Sequence, residues 1–226
     1  MSITYRFTTP VYPENILYVN IIPHYSCIND CLFCSRPRDG REDVHQQNIY
    51  EQKAGTSLYL AKLPSVDAIV HAIEQDIQVT DTELAFVGLG ESLQFLPTVL
   101  AVLKYVKGRY GIKTRVDTNG LVTCRYPNAA EQLAHCLDEI RISLNAINSD
   151  EYNVLCRPRP HDAFKHLTSF VRQIIDVKID THVSFVADFS LSRTREEYTQ
   201  FAESLGIQKN HIIFRDYIPF LSKTFK

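Results

Sequence analysis

A chain of 226 residues with a formal net charge of −2 has no global field to draw nucleic acid or an anionic membrane surface. Its 45% hydrophobic and 22% charged residues are ordinary for a globular domain and exclude a disordered chain. No apolar run approaches the ~20 residues that a bilayer span needs.

The length suits one domain with a sizeable core. No Pro-, Gly- or Ser-rich linker divides it, so residues 1–226 are read as one unit. Residues 1–15 carry no apolar segment of the signal-peptide kind and read as an irregular leader. Ile16 to Ile22 is β-branched, aromatic and almost wholly apolar, as expected of a parallel strand buried on both faces. It runs into Cys27-Ile28-Asn29-Asp30-Cys31-Leu32-Phe33-Cys34. From Ser35 to Ser57 the composition turns polar. A loop of this length is commonly functional, and residues 35–57 read as a lid or substrate loop.

Ser65 is placed to cap a helix carrying Val66, Ile69, Val70, Ile73 and Ile77. A short strand over Leu84–Val87 ends in Gly88-Leu89-Gly90-Glu91-Ser92. A helix follows from Leu93 to Lys107, with Gly108 as its stop. Lys113–Asp117 reads as a strand ending in Thr118-Asn119-Gly120, and Ala129–Leu137 as a helix. A strand over Glu139–Leu144 leads to helices at Asp150–Leu155 and Ala163–Ile175. The next strand covers Ile179–Val186. Ser192 or Thr194 caps a helix reaching Leu205, and His211–Arg215 is the last strand.

Six βα repeats in strict alternation demand a parallel sheet covered by helices, an α/β fold. The chain is short for a closed eight-stranded barrel, so a partial (β/α)6 TIM-like barrel is expected. Every distinctive polar cluster falls just after a strand, on the rim where active sites of parallel α/β folds lie.

The C-x3-C-x2-C spacing lets one short loop set three thiolates around a four-iron, four-sulfur cubane, leaving the fourth iron open for chemistry. Three such thiols also fit a zinc site flanked by His24 and His45, or a set of inert thiols. Gly88 and Gly90 allow a ligand close to the main chain, and Glu91 offers acceptors for an ammonium. A glycine turn before a helix is the plainer reading. Thr118 and Asn119 precede Gly120 in what is equally an Asn-Gly turn. Ser143 and Asn145 alternate on a strand, so they should point the same way, with groups that donate and accept.

Arg215 is placed to hold a carboxylate, with Asp216 and Tyr217 next to it. Arg36, Arg38, Arg41, Arg157 and Arg159 favour an anionic substrate if they line the mouth, and are solvated loop charges otherwise. Half of the six cysteines lie in the one motif. Cys124, Cys136 and Cys156 match no cluster spacing and show no pairing pattern, which fits a reducing cytoplasm. The eight histidines form no pair at helical spacing, and no metal is assigned to them.

The cysteine spacing, with Phe33 directly before the third thiol, resembles the signature of the radical S-adenosylmethionine (radical SAM) superfamily. The resemblance implies the radical SAM core fold, a 4Fe-4S cluster on Cys27, Cys31 and Cys34, and SAM on the open iron. It implies reductive cleavage of SAM to methionine and a 5'-deoxyadenosyl radical that abstracts hydrogen from a substrate. Phe33 would then pack near the adenine. Gly88, Gly90 and Glu91 look like the family's Gly-Gly-Glu-Pro element, which holds the amino group, although Leu89 intervenes and Ser92 replaces the proline. Thr118 and Asn119 correspond to an element near the cofactor. Ser143, Asn145 and Arg215 would hold the ribose and carboxylate. Arg36, Arg38, Arg157 and Tyr217 are the substrate candidates.

The Cys-Ile-Asn-Asp-Cys-Leu-Phe-Cys, Asp-Thr-Asn-Gly-Leu, Ile-Ser-Leu-Asn-Ala (with Tyr152 and Cys156-Arg157-Pro158) and Phe-Arg-Asp-Tyr stretches resemble the small TatD-associated (TatD-linked) radical SAM proteins. A flavodoxin or ferredoxin would supply the electron, and the protein would be oxygen-sensitive. A glycyl-radical-type activase of a partner protein fits the same machinery. So does a ring-contracting enzyme like carboxy-deazaguanine synthase, with Ser35 at a magnesium position. A zinc-binding adaptor is the non-enzymatic alternative.

Overall fold

Among the described residues, seven strands pair in the order in which the chain makes them. They are β1 (Thr4–Tyr5), β2 (Ile16–Val19), β3 (Glu83–Phe86), β4 (Lys113–Thr118), β5 (Glu139–Ser143), β6 (Asp180–Ala187) and β7 (Ile212–Asp216). The structure, a computed structural model, describes residues 2–7, 14–36, 49–187 and 193–216. β1 runs antiparallel to β2, and every later pair is parallel. Among the described residues the sheet ends at β1 and β7 without closing. This is the partial barrel expected for six parallel strands in sequential order. Seven helices accompany it among the described residues: α1 (Ile49–Ala54), α2 (Val66–Asp76), α3 (Leu96–Tyr110), α4 (Ala129–Leu133), α5 (Ser149–Cys156), α6 (Ala163–Asp176) and α7 (Arg195–Ser204). None of them is long and apolar enough to cross a membrane.

The period of two along each strand divides the sheet into unlike faces. Leu17, Val19, Leu84, Phe86, Val116, Ile140, Ile142, Val183 and Phe185 form one face and join helix residues such as Ile69, Val99, Leu103, Leu167 and Phe170 in the main core. On the other face the register aligns Tyr18, Ala85, Arg115, Glu139 and Asp180 in one row. The next row is Asp117, Arg141 and His182. The inner face is therefore apolar beside β1 and charged from β3 onward.

Several boundaries differ from the sequence reading. The leader contributes β1, with Tyr5 and Phe7 buried against Tyr18. Arg6 latches it by donating two 2.7 Å bonds to the Asp81 carboxylate. α3 starts three residues late, after a 3-10 turn over Ser92–Phe95, and continues through Gly108. It ends where Gly111 takes a left-handed φ of 65°. The buried stripe of Val99, Val102, Leu103 and Val106 outweighs the ~1 kcal/mol that a helical glycine costs. α4 stops at Leu133 rather than Leu137. Thr194 caps α7 through a capping box with Glu197, whereas Ser192 lies outside the described residues. Of the expected lid, residues 49–54 form α1 and residues 37–48 are not described.

The charged row centres on Arg115, which is 2% exposed. Its guanidinium donates to Glu83 at 2.5 Å and to Asp117, with Glu139 at 3.9 Å. Glu139 is buried, which alone would raise its carboxyl. The bond from Lys113 and the charge of Arg141 prevail and hold it below the usual range. Removing one partner from such a network strands the others in a low dielectric. Arg115→Met is accordingly expected to cost about 3–5 kcal/mol in urea unfolding. A loss below about 1 kcal/mol would mean that water already reaches these carboxylates.

Candidate active site at the carboxyl rim

The cysteine loop leaves β2 through a turn in which His24 and Tyr25 have φ of 51° and 50°. It is gripped from two sides. On one, the Glu91 backbone N–H donates to the Ser26 carbonyl at 2.9 Å. On the other, the loop lies on the C-terminal end of α5. Asp30 N–H donates to the Cys156 carbonyl at 2.9 Å and Leu32 N–H to that of Leu155 at 2.8 Å, while Arg159 N–H returns a bond to Ile28 at 3.0 Å. Carbonyls in the last turn of a helix lack partners within it, so they are available for this docking. Beneath, the buried Tyr152 hydroxyl accepts from Asn29 Nδ2 at 3.0 Å.

Cys27, Cys31 and Cys34 are partly exposed thiols on this platform. Burial pushes the Cys27 thiol up to about 12, and its Sγ faces two donors, Asn29 N–H at 3.4 Å and Asn119 Nδ2 at 3.5 Å. Arg36, a substrate candidate in the sequence, reaches back over the loop and donates to the carbonyls of Tyr25 and Asn29. His24 is turned toward the Tyr59 hydroxyl, 3.0 Å from its Nδ1.

The rim after β3 is shaped by close approach. A Cβ on Gly90 would lie 2.4 Å from the Ser26 carbonyl oxygen, and φ there is 133°. A side chain at this position would push the cysteine loop off the sheet. Glu91 is 2% exposed. Its Oε1 accepts from Leu93 N–H at 2.9 Å and the Thr118 hydroxyl at 2.8 Å, and its Oε2 from Asn119 N–H at 2.6 Å. Burial pushes the carboxyl up to about 7 against the pull of these three bonds. A carboxylate offers about four acceptor sites, so one remains.

Asn145 corrects an expectation. β5 ends at Ser143, and Asn145 takes φ 59°, a conformation that asparagine tolerates, so it leaves the alternation. Its Nδ2 points to the buried Cys156 thiol at 3.9 Å, while its Oδ1 is buried without a partner among the described residues. Ser143 instead faces Arg215, whose Nη2 donates to its hydroxyl at 3.1 Å. Arg157 occupies the left-handed cap of α5 with its side chain open to solvent. Arg38 and Tyr217 lie outside the described residues. Phe33 packs at the edge of the main core.

The roles of Asn29, Tyr152 and Ser26 escape the sequence reading. Only Asn29, inside the motif, carries a local signal, since Tyr152 reaches it from 123 residues away. Ser26 Oγ, Asn29 Oδ1 and Asn145 Oδ1 are all buried without a partner among the described residues. Buried polar atoms are ordinarily paired, so three orphans around one loop fit a polar ligand there. The donor set also fits a thiolate-ligated cluster. Three thiols stand on one short loop, and the N–H groups of Asn29 and Asn119 that face Cys27 Sγ suit a charged sulfur.

A search of curated proteins finds no match. Solved structures share the fold at low identity. Streptococcus suis SuiB bound to its precursor peptide SuiA has a TM-score of 0.60 at 15% identity, over 90% of this chain and 38% of that one. Native anSMEcpe with bound AdoMet and Kp18Cys peptide has a TM-score of 0.59 at 13% identity, over 90% and 51%. A cysteine-to-alanine mutant of spore photoproduct lyase has a TM-score of 0.61 at 11% identity, over 94% and 59%. The chain thus spans less than two thirds of each protein's length. A family model described as Radical SAM superfamily matches residues 21–205, from the end of β2 through α7 and with the whole cysteine rim inside it, so the chain belongs to the radical SAM superfamily.

Proposed function

We propose that Cys27, Cys31 and Cys34 hold a 4Fe-4S cluster and that SAM binds beside it along the rims of β3, β4 and β5. The carrying observation is the platform itself: three partly exposed cysteines beside three buried polar atoms without a hydrogen-bond partner among the described residues. When bound, the pair supplies reductive cleavage of SAM to methionine and a 5'-deoxyadenosyl radical able to abstract hydrogen.

The chain's own residues bind and orient. The remaining acceptor of Glu91, with main chain near Gly88 and Gly90, takes the ammonium. Thr118 and Asn119 are drawn to the same carboxylate and complete that corner. Ser143 and Asn145 serve the ribose, Arg215 the carboxylate, and Phe33 the adenine side. Arg36 steadies the loop through its carbonyls, leaving Arg38, Arg157 and Tyr217 as the substrate candidates. We read residues 1–226 as one domain, working in a reducing cytoplasm with a flavodoxin or ferredoxin as donor, and closest to the TatD-associated group.

A peptide or protein segment is our preferred substrate class. SuiB is described with a precursor peptide and anSMEcpe with a peptide, and the inner wall here carries both Arg141 and Asp117 partly open to solvent. An activase acting on a partner protein falls within that class.

Anaerobic reconstitution is expected to yield about four irons per chain. Dithionite with SAM should then release 5'-deoxyadenosine, and Cys31→Ala should abolish both. A colourless protein holding zinc, or unchanged turnover in that variant, would overturn the proposal.

Glu91 adds a pH test. Its folded value of about 7 lies above that of a free carboxyl, so the proton must leave before a cation can pair with it. SAM affinity should rise with pH through this range and level off above it. Between pH 6 and pH 8 the ionised fraction grows about tenfold, and so should the affinity in equilibrium dialysis. Glu91→Gln should bind weakly and without this dependence. A wild-type affinity indifferent to pH would remove Glu91 from the ammonium site.

A further inference from the structure

A second group of ligating side chains lies far from the cysteines. Asp180 and His182 stand two residues apart at the start of β6, so they project from the same face. The parallel register pairs Val183 with Ile212, which sets His211, just before β7, beside His182. The two imidazoles stack with centroids 4.1 Å apart and planes 14° from parallel. Asp180 Oδ1 lies 3.4 Å from His182 Nε2 and 3.4 Å from His211 Nδ1, and the three ligand atoms fall within 4.8 Å of one another.

The two 3.4 Å separations from Asp180 are those of a coordination shell, and ligation would turn the stacked rings out of parallel so that both in-plane lone pairs meet one ion. Zinc bonds of about 2.0–2.1 Å place neighbouring ligands of a tetrahedron about 3.3–3.4 Å apart. Two imidazoles and a carboxylate suit first-row divalent cations and leave one position for water. Without a metal, His211 Nδ1–H donates to the Thr181 carbonyl at 3.2 Å, so ligation moves that proton to Nε2. A cavity of about 220 Å³ lined by Lys178, Asp180, Thr181, Gln208 and His211 gives an entry path.

We propose that Asp180, His182 and His211 form a divalent-cation site of the zinc class, joining β6 to the segment entering the edge strand β7. Five residues of strand, roughly 16 Å, separate His182 from the rim end of β6, so the site is independent of the cysteine loop. Its role is to staple the last strand of an open sheet, whose far side has no neighbour among the described residues.

Co²⁺ is the probe, titrated into the chelator-treated 226-residue chain and competed with Zn²⁺. With Cys27, Cys31 and Cys34 all changed to Ser, the expected result is one saturable site with d–d bands and no thiolate charge transfer. His182→Gln and His211→Gln should each weaken it at least about tenfold. Asp180→Asn, at an exposed position, should do the same, and circular dichroism verifies that each variant is folded. Zn²⁺ should raise the melting temperature of the chain lacking the three motif cysteines but not of its His211→Gln derivative. Loss of Co²⁺ binding with the cysteines, or unaltered binding in folded His211→Gln and Asp180→Asn, overturns the assignment.

Discussion

A buried carboxylate holds the rim together. Glu91 takes one bond from its own turn and two from the end of β4, while its backbone N–H holds Ser26, one residue before the first cysteine. Three segments distant in sequence therefore meet at one residue with almost no solvent contact. The arrangement tolerates no side chain at Gly90, because the Ser26 carbonyl occupies that space. A carboxylate buried this way loses hydration and regains only part of it from three donors, which is why its affinity for protons rises. The same shortage makes it receptive to a cation.

The second support of the loop is the end of α5. Helix termini leave carbonyls unpaired, and here those of Leu155 and Cys156 are used to seat Leu32 and Asp30. The thiols thus stand on a frame anchored in the core through Tyr152, Leu155 and Cys156, all buried. Backing of this kind anchors the loop that carries the three cysteines to the core. The inner face of the sheet follows a different rule. Its charges are buried in rows and neutralise one another around Arg115, leaving Asp117 and Arg141 partly open to whatever lies inside the barrel.

Much of this is legible in the residue order. Ile16 to Ile22 and Leu84 to Val87 announce buried parallel strands because neither alternates, and the structure places β2 and β3 there within a few residues. The three cysteines are close in sequence, so finding their common loop needs no fold. Gly90, Glu91, Thr118 and Asn119 stand out because each follows a strand, and in a parallel sheet the strand ends share one rim. The failures have equally local causes. The leader reads as irregular because a two-residue strand has too little period to detect. Gly108 reads as a helix stop because its propensity carries no knowledge of the packing of Val102 and Val106. Asn145 is aimed wrongly because a single left-handed residue undoes an alternation argument. His182 and His211 escape a search for helical spacing, since their meeting depends on strand register.

By itself the sequence determined what is set by local order: the alternation that demands a parallel sheet, the thiol spacing that suits a cluster, and the membership of each polar group in a strand end. Only the tertiary structure decided which groups touch. Glu91 meets Thr118 over a separation of 27 residues, Asn119 meets Cys27 over 92, and Tyr152 meets Asn29 over 123. Such contacts depend on register, on where one helix ends against one loop, and on which donors a buried acceptor can reach. None of these is a property of any short stretch of chain, because each is settled by the packing of two segments against a third.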